Sequence, residues 1–240
     1  MKKYILAGAL AFVATQALAQ GSHPKQYDPF FALPGKAGTT GVDGGLANSK
    51  ISKIADMSDV LVMGKYSLND KIELGARATL GFLAGDNADA FRSLVVGAKY
   101  GLGEKFALGV NLLAPAGEAD DPGLSIAIMH TKTWGSISCN HMLQANLLDG
   151  FTGGVGTGLH LFVEPNKAIG SKMVGYLDIL VNTNTDDIAG DYLGIDLGPN
   201  VDYKINGKTV LNVGVSLGLA GDAKQADPGI NATLIWLCAK

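Results

Sequence analysis

From residue 38 onward the chain alternates apolar and polar side chains at every second position, in stretch after stretch of about ten residues. In residues 71–82, Ile72, Leu74, Ala76, Ala78, Leu80 and Phe82 fall on one face and Glu73, Gly75, Arg77, Thr79 and Gly81 on the other. Residues 192–205 repeat this with Leu193, Ile195, Leu197, Val201 and Tyr203 against Asp196, Asn200, Asp202 and Lys204. Residues 136–147 do so again, with Ile137, Leu143, Ala145 and Leu147 against Ser136, Ser138, Asn140, Gln144 and Asn146. A period of two belongs to β-strands, whose successive side chains point to opposite sides of the sheet. These runs are long for globular strands, which usually have roughly five or six residues.

Turn signals divide the region into about twelve strands, expected near residues 38–47, 58–68, 71–83, 91–101, 104–114, 123–133, 136–147, 153–164, 170–182, 191–205, 208–220 and 229–239. The connections alternate in kind. Tight ones are expected at Asn69-Asp70, Gly101 to Glu104, Trp134-Gly135, Pro165-Asn166 and Asn206-Gly207, the last a strong hairpin signal. The others are longer and acidic, carrying Asp86 and Asp89, then Glu118, Asp120 and Asp121, then Asp149, Asp186 with Asp187, and Asp222 with Asp227. Short turns on one side and long loops on the other is the asymmetry of transmembrane β-barrels, and an even strand number puts both termini on the short-turn side. Tyr66, Tyr100, Phe106, Trp134, Tyr203 and Trp236 all lie beside the tight turns, where an interfacial girdle would sit. Phe82, Phe91, Phe151 and Tyr192 lie beside the long loops as a thinner second girdle. The pattern therefore points to an all-β, antiparallel, up-and-down transmembrane barrel over residues 38–240, with a soluble β-sandwich or jelly roll as the competing architecture.

Composition agrees. Only 17% of the 240 residues are charged, 47% are hydrophobic, 33 are Gly, and the net charge is −3. That excludes a disordered chain, and nothing is basic enough for a nucleic-acid partner. Residues 1–19 read as a secretory signal: Lys2 and Lys3 form the positive start, residues 4–13 the apolar stretch, and Ala17-Leu18-Ala19 the cleavage site. Residues 20–37 hold Pro24, Pro29 and Pro34 and read as an extended periplasmic tail. The expected destination is the bacterial outer membrane.

Hairpin residues recur. Lys65-Tyr66-x-Leu68-x-Asp70-Lys71-Ile72-x-Leu74-Gly75 matches Lys99-Tyr100-x-Leu102-x-Glu104-Lys105-Phe106-x-Leu108-Gly109, and Tyr203 to Leu211 is a fainter copy. The hairpin from Gly97 to Val110, followed by the exit Leu112-Leu113-Ala114-Pro115-Ala116-Gly117, resembles the transporter-like outer-membrane barrels first named for phenol meta-cleavage operons. That resemblance implies a channel or transporter, inserted by the barrel-assembly machinery, for a small solute that is rarely known. Such barrels commonly finish on an aromatic that this machinery reads, whereas this chain runs Trp236-Leu237-Cys238-Ala239-Lys240.

No catalytic or cofactor constellation emerges. His23, His130, His141 and His160 lack zinc-site spacing, so no metal is expected. There is no Gly-x-Ser-x-Gly elbow, and the glycines of residues 153–158 precede no helix. Strand parity puts His130 and His141 on the lipid side and His160 inside, each as a single satisfied histidine. Cys139 and Cys238 fall on the seventh and twelfth strands, too far apart for a disulfide. What remains is the polar face, where Lys65, Glu73, Arg77, Lys99, Lys172, Tyr176, Asp178, Asp196, Asp202 and Lys204 all take inward parity. Two readings stand: a salt-bridged, water-filled interior, or a wall some of whose charges select the solute. About twelve strands lies between side-chain-filled barrels of about 8 and open porins of 16–18, so a narrow pore is expected. The expected function is passage of a small solute. The alternatives are a non-conducting structural or partner-binding barrel with acidic external loops, and a secreted β-sandwich; an enzyme ranks last.

Overall fold

The computed structural model describes residues 37–50, 59–80, 91, 93–114, 122–147, 158–184, 192–221 and 228–239. The expected signal (1–19) and nearly all of the tail (20–37), the acidic positions Glu118, Asp120, Asp121, Asp186 and Asp187, and the other long loops lie outside these residues.

Twelve strands form one closed antiparallel barrel. They are β1 (Thr39–Lys50), β2 (Asp59–Ser67), β3 (Ile72–Leu80), β4 (Ser93–Gly101), β5 (Phe106–Ala114), β6 (Gly123–Trp134), β7 (Ile137–Asn146), β8 (Gly158–Ile169), β9 (Met173–Asn184), β10 (Tyr192–Lys204), β11 (Thr209–Gly221) and β12 (Gly229–Ala239). Each pairs with its sequence neighbours, and β1 closes the ring against β12, with Thr40 opposite Cys238 and Asp43 opposite Ile235. Closure leaves no free sheet edge, so every strand finds hydrogen-bond partners on both sides.

The short connections fall largely where turn chemistry placed them. At β2–β3 the Asn69 side chain accepts from the Lys71 and Ile72 amides, and at β10–β11 that of Asn206 accepts from the Lys208 amide. Gly135 turns β6 into β7 with φ 58°. The β8–β9 turn is the exception. Pro165-Asn166 is not a turn: β8 continues through it to Ile169, and the chain reverses at residues 170–172, where Gly170 has φ 72°. A glycine without a Cβ takes this left-handed conformation at low cost, which is why the reversal settles there. As a result β8 (Gly158–Ile169) runs past the expected end at 164, and β9 (Met173–Asn184) starts after the expected 170.

The alternation sorts as expected. Outward residues such as Leu108, Val110, Leu112, Ile126, Ile128, Leu143, Leu159 and Leu161 are exposed, and together they make an apolar belt. An apolar surface this continuous costs free energy in water and calls for a membrane or partner to cover it. Tyr66, Tyr100, Phe106, Trp134, Tyr203 and Trp236 are all exposed at the short-turn end of the belt, as the first girdle requires. The side chains of Phe82, Phe151 and Tyr192 lie outside the described set, and Phe91 is half-buried.

Candidate functional site: the barrel interior

Among the described residues, hydrogen-bonded polar side chains gather in the barrel interior. Register carries successive inward residues around the wall in rows. Ser67, Glu73 and Lys99 follow one another across β2, β3 and β4, and the next rungs bring Gly109, Ala127, Gln144, His160 and Asn182. Lys99 Nζ lies 2.8 Å from Glu73 Oε1, and the Ser67 hydroxyl donates to Glu73 Oε2. Further along, Gln144 donates to Asn146, and the His160 ring bonds Asn146 through Nε2 and Asn182 through Nδ1.

A denser network covers β9, β10 and β11. The Tyr176 hydroxyl donates to Asp202 Oδ2 at 2.7 Å, and Asn212 Nδ2 donates to both Asp202 Oδ1 and Asn200 Oδ1. Asn200 in turn donates to Asp178 Oδ2 at 2.8 Å. On β6–β8, Thr131 donates to Asn140, which donates to Glu164 Oε1. In these two networks Asn140, Asn200 and Asn212 each donate to a carboxylate, which offsets the cost of taking those polar groups out of water.

The sequence-derived interior residues are placed as follows. Glu73, Arg77, Lys99, Tyr176 and Asp202 face inward and are buried, while Lys65, Asp178, Asp196 and Lys204 face inward and are only half-buried. Lys172 is not part of the wall. It has the parity of Val174 and Tyr176, but β9 begins at Met173, and Lys172 stands exposed in the turn. Glu164 was missed, because the misplaced turn put it at a strand end; it is fully buried within the wall. Asn111, Asn140, Gln144, Asn146, Asn200 and Asn212 are buried members of the same wall, and the two-residue period that marks the inward charges marks them too.

Charge is segregated across the interior. Among the described inward residues, the cations Lys65, Arg77 and Lys99 stand on β2, β3 and β4, with Glu73 paired to Lys99. Glu164, Asp178, Asp196 and Asp202 stand on β8, β9 and β10, with Lys204 at their short-turn end. Strands β3 and β9 are six places apart in the twelve-strand ring, so the two groups occupy opposite walls. Between them lies an apolar layer in which Met129, Met142, Phe162 and Leu180 pack with Ala107 and Ala127. The inward face is therefore mixed rather than uniformly polar.

His130 and His141 are outward, as parity requires, but they are not single. They face each other across β6–β7 with ring centroids 5.4 Å apart, and Phe106 stacks on His130. Cys139 is a free, buried thiol beside the His141 ring, and its strand lies five places from β12, which carries Cys238. Among the described residues no group of three or more His, Cys, Asp or Glu is arranged to hold a metal ion.

No protein-family model matches the chain, and no curated protein matches it by sequence. Solved structures do match it by shape. An outer membrane channel from Pseudomonas putida F1 superposes with a TM-score of 0.58 at 15% identity, over 91% of this chain and 100% of that one. The NanC porin superposes at 0.56 with 7% identity, over 84% and 99% of the two chains, and the KdgM porin at 0.54 with 8% identity, over 82% and 98%. The fold of this chain is that of bacterial outer-membrane channel barrels.

Proposed function

We propose that this chain is an outer-membrane channel that passes a small solute along a narrow interior whose opposite walls carry opposite charge. One observation carries the reading: a closed twelve-strand wall exposes aliphatic side chains outward while its inward positions hold Lys65, Arg77, Lys99, Glu164, Asp178, Asp196 and Asp202. Charges on the lipid face of a barrel cost about 2–4 kcal/mol at mid-bilayer, so a membrane barrel keeps them inside. The half-buried Lys65, Asp178, Asp196 and Lys204 are the ones a passing solute meets. The shape shared with known channels and the hairpin of Gly97 to Val110, which resembles the meta-pathway barrels, support the same reading. In this account residues 1–19 are removed on export, the barrel-assembly machinery inserts the chain, the acidic loops face outward and the short turns face the periplasm. The chemistry is transport, not catalysis.

A second reading has its own support. Lys99, Glu164 and Asp202 are almost wholly buried, as in a barrel filled by its own side chains, so a structural barrel that conducts nothing is the competitor. Swelling of proteoliposomes in isotonic solutes of graded size separates the two. The channel reading expects entry of amino-acid-sized solutes and exclusion of disaccharides. No swelling with any solute favours the structural barrel.

A further inference from the structure

Two prolines interrupt the wall at one height. Proline has no N–H and cannot donate to a ladder. Between β8 and β9 the register passes from Val163–Ile179 to Asn166–Tyr176 without a shift, so the rungs at Glu164 and Pro165 are missing. Between β10 and β11 it passes from Leu197–Leu217 to Asn200–Gly214, and the rungs at Gly198 and Pro199 are missing. Pro199 pairs with Leu177, and Pro165 stands opposite Leu177 across the other gap, so Leu177 is flanked by both prolines.

An apolar groove of about 720 Å³ opens on the outer face here, within the range of roughly 300–1,000 Å³ typical of small-molecule sites. Its walls include Pro165, Leu177, Pro199, Val201, Val213 and Val215, and Gly175 contributes no side chain. The floor is closed. Tyr176 and Asn200 line it from within, and their polar ends are held inward by Asp202 and Asp178. The groove's open mouth therefore faces outward, into the apolar belt. At its short-turn end stands Lys167, exposed, on the row that runs from Trp134 through Ile137 to Lys167 and Gly175. Trp marks headgroup level in membrane barrels.

We infer that this groove is a phospholipid site, which seats one acyl chain between the two prolines and sets an anionic headgroup phosphate on Lys167. An outward mouth with a closed floor takes its occupant from the bilayer, not from the interior, and Lys167, the charged residue of the lining, selects an anionic lipid. The inference rests on the membrane placement proposed above but not on conduction.

The test is retention of dioleoyl phosphatidylglycerol, against dioleoyl phosphatidylcholine, by the folded full-length barrel in detergent, read by native mass spectrometry. One bound phosphatidylglycerol per barrel is expected. Lys167→Gln should weaken its retention about fivefold, the worth of one lysine at a membrane surface, to the level of phosphatidylcholine. Gly175→Leu should abolish retention of both lipids; the added Cβ meets only the flexible tip of Ile169, at 3.1 Å. Lys71→Gln, in the β2–β3 turn away from the groove, should change nothing. Equal losses for Lys71→Gln and Lys167→Gln, or undiminished retention in a folded Gly175→Leu barrel, would overturn the site. Lys167 is exposed, so its variant decides the headgroup half even if Gly175→Leu does not fold. A barrel that enters vesicles but holds no lipid refutes this inference alone, whereas one that cannot enter vesicles refutes the membrane reading beneath it.

Discussion

Lys99 and Glu73 face each other on one β3–β4 rung, with Nζ and Oε1 2.8 Å apart and side chains 0% and 3% exposed. Breaking such a pair strands a buried charge, and that typically costs about 3–5 kcal/mol, more than the pair itself contributes over an apolar substitute. Glu73→Gln is therefore expected to lose that much in urea unfolding from lipid vesicles. The double change Glu73→Leu with Lys99→Met should recover most of it. Equal losses in the single and double variants would mean that the pair is wet and screened.

Facing can be tested on the same strand, β3. Ala78 is outward on β3, between Val62 of β2 and Leu94 of β4. Ala78→Arg should destabilise the barrel in lipid by about 2–4 kcal/mol if the position lies near mid-bilayer, while Ala78→Leu should be nearly neutral. The measurement is again equilibrium unfolding from vesicles, and a tolerated arginine would reject the register.

The missing rungs beside Pro165 and Pro199 should show in backbone protection. Segments held by fewer hydrogen bonds open at lower free-energy cost. Amides of residues 176–179, 197, 198 and 200 are expected to exchange with deuterium faster than those of residues 142–146, where the β6–β7 and β7–β8 ladders are continuous. Pro165→Val should slow exchange opposite it on β9 by supplying the absent donor.

Orientation is accessible in cells. With Cys139 and Cys238 replaced by Ser or Ala, a cysteine at Asp187 is expected to react with an impermeant thiol reagent in intact cells. One at Asn206, in the β10–β11 turn, should not react until the outer membrane is opened. The opposite pattern would invert the barrel.

The strands were legible because burial on one side and exposure on the other force a strict period of two, which β3 and β10 display almost without interruption. Asn206-Gly207 and Trp134-Gly135 were legible because turn chemistry is local. Pro165 was misread for a physical reason: proline inside a strand forfeits a ladder bond and normally marks its end. Here the strand continues and the rungs are given up instead, an exchange decided by the neighbouring strands rather than by the local sequence. That error hid Glu164 and carried Lys172 into the wall. The pairing of His130 with His141 was equally out of reach, since parity gives the face of each strand but only register brings the two rings together. So too with the opposed charges of β2–β4 and β8–β10, which become a transverse arrangement only once the ring is closed.

Single-channel recording in planar bilayers tests the account most directly. Purified barrel is expected to insert and give discrete, small current steps, since the inward side chains leave a narrow path. Replacing the half-buried Asp178 and Asp196 by Asn should shift the reversal potential in a salt gradient away from cations, without loss of insertion. Insertion confirmed by protease protection, with no current steps in any salt, would contradict the channel and leave a structural barrel.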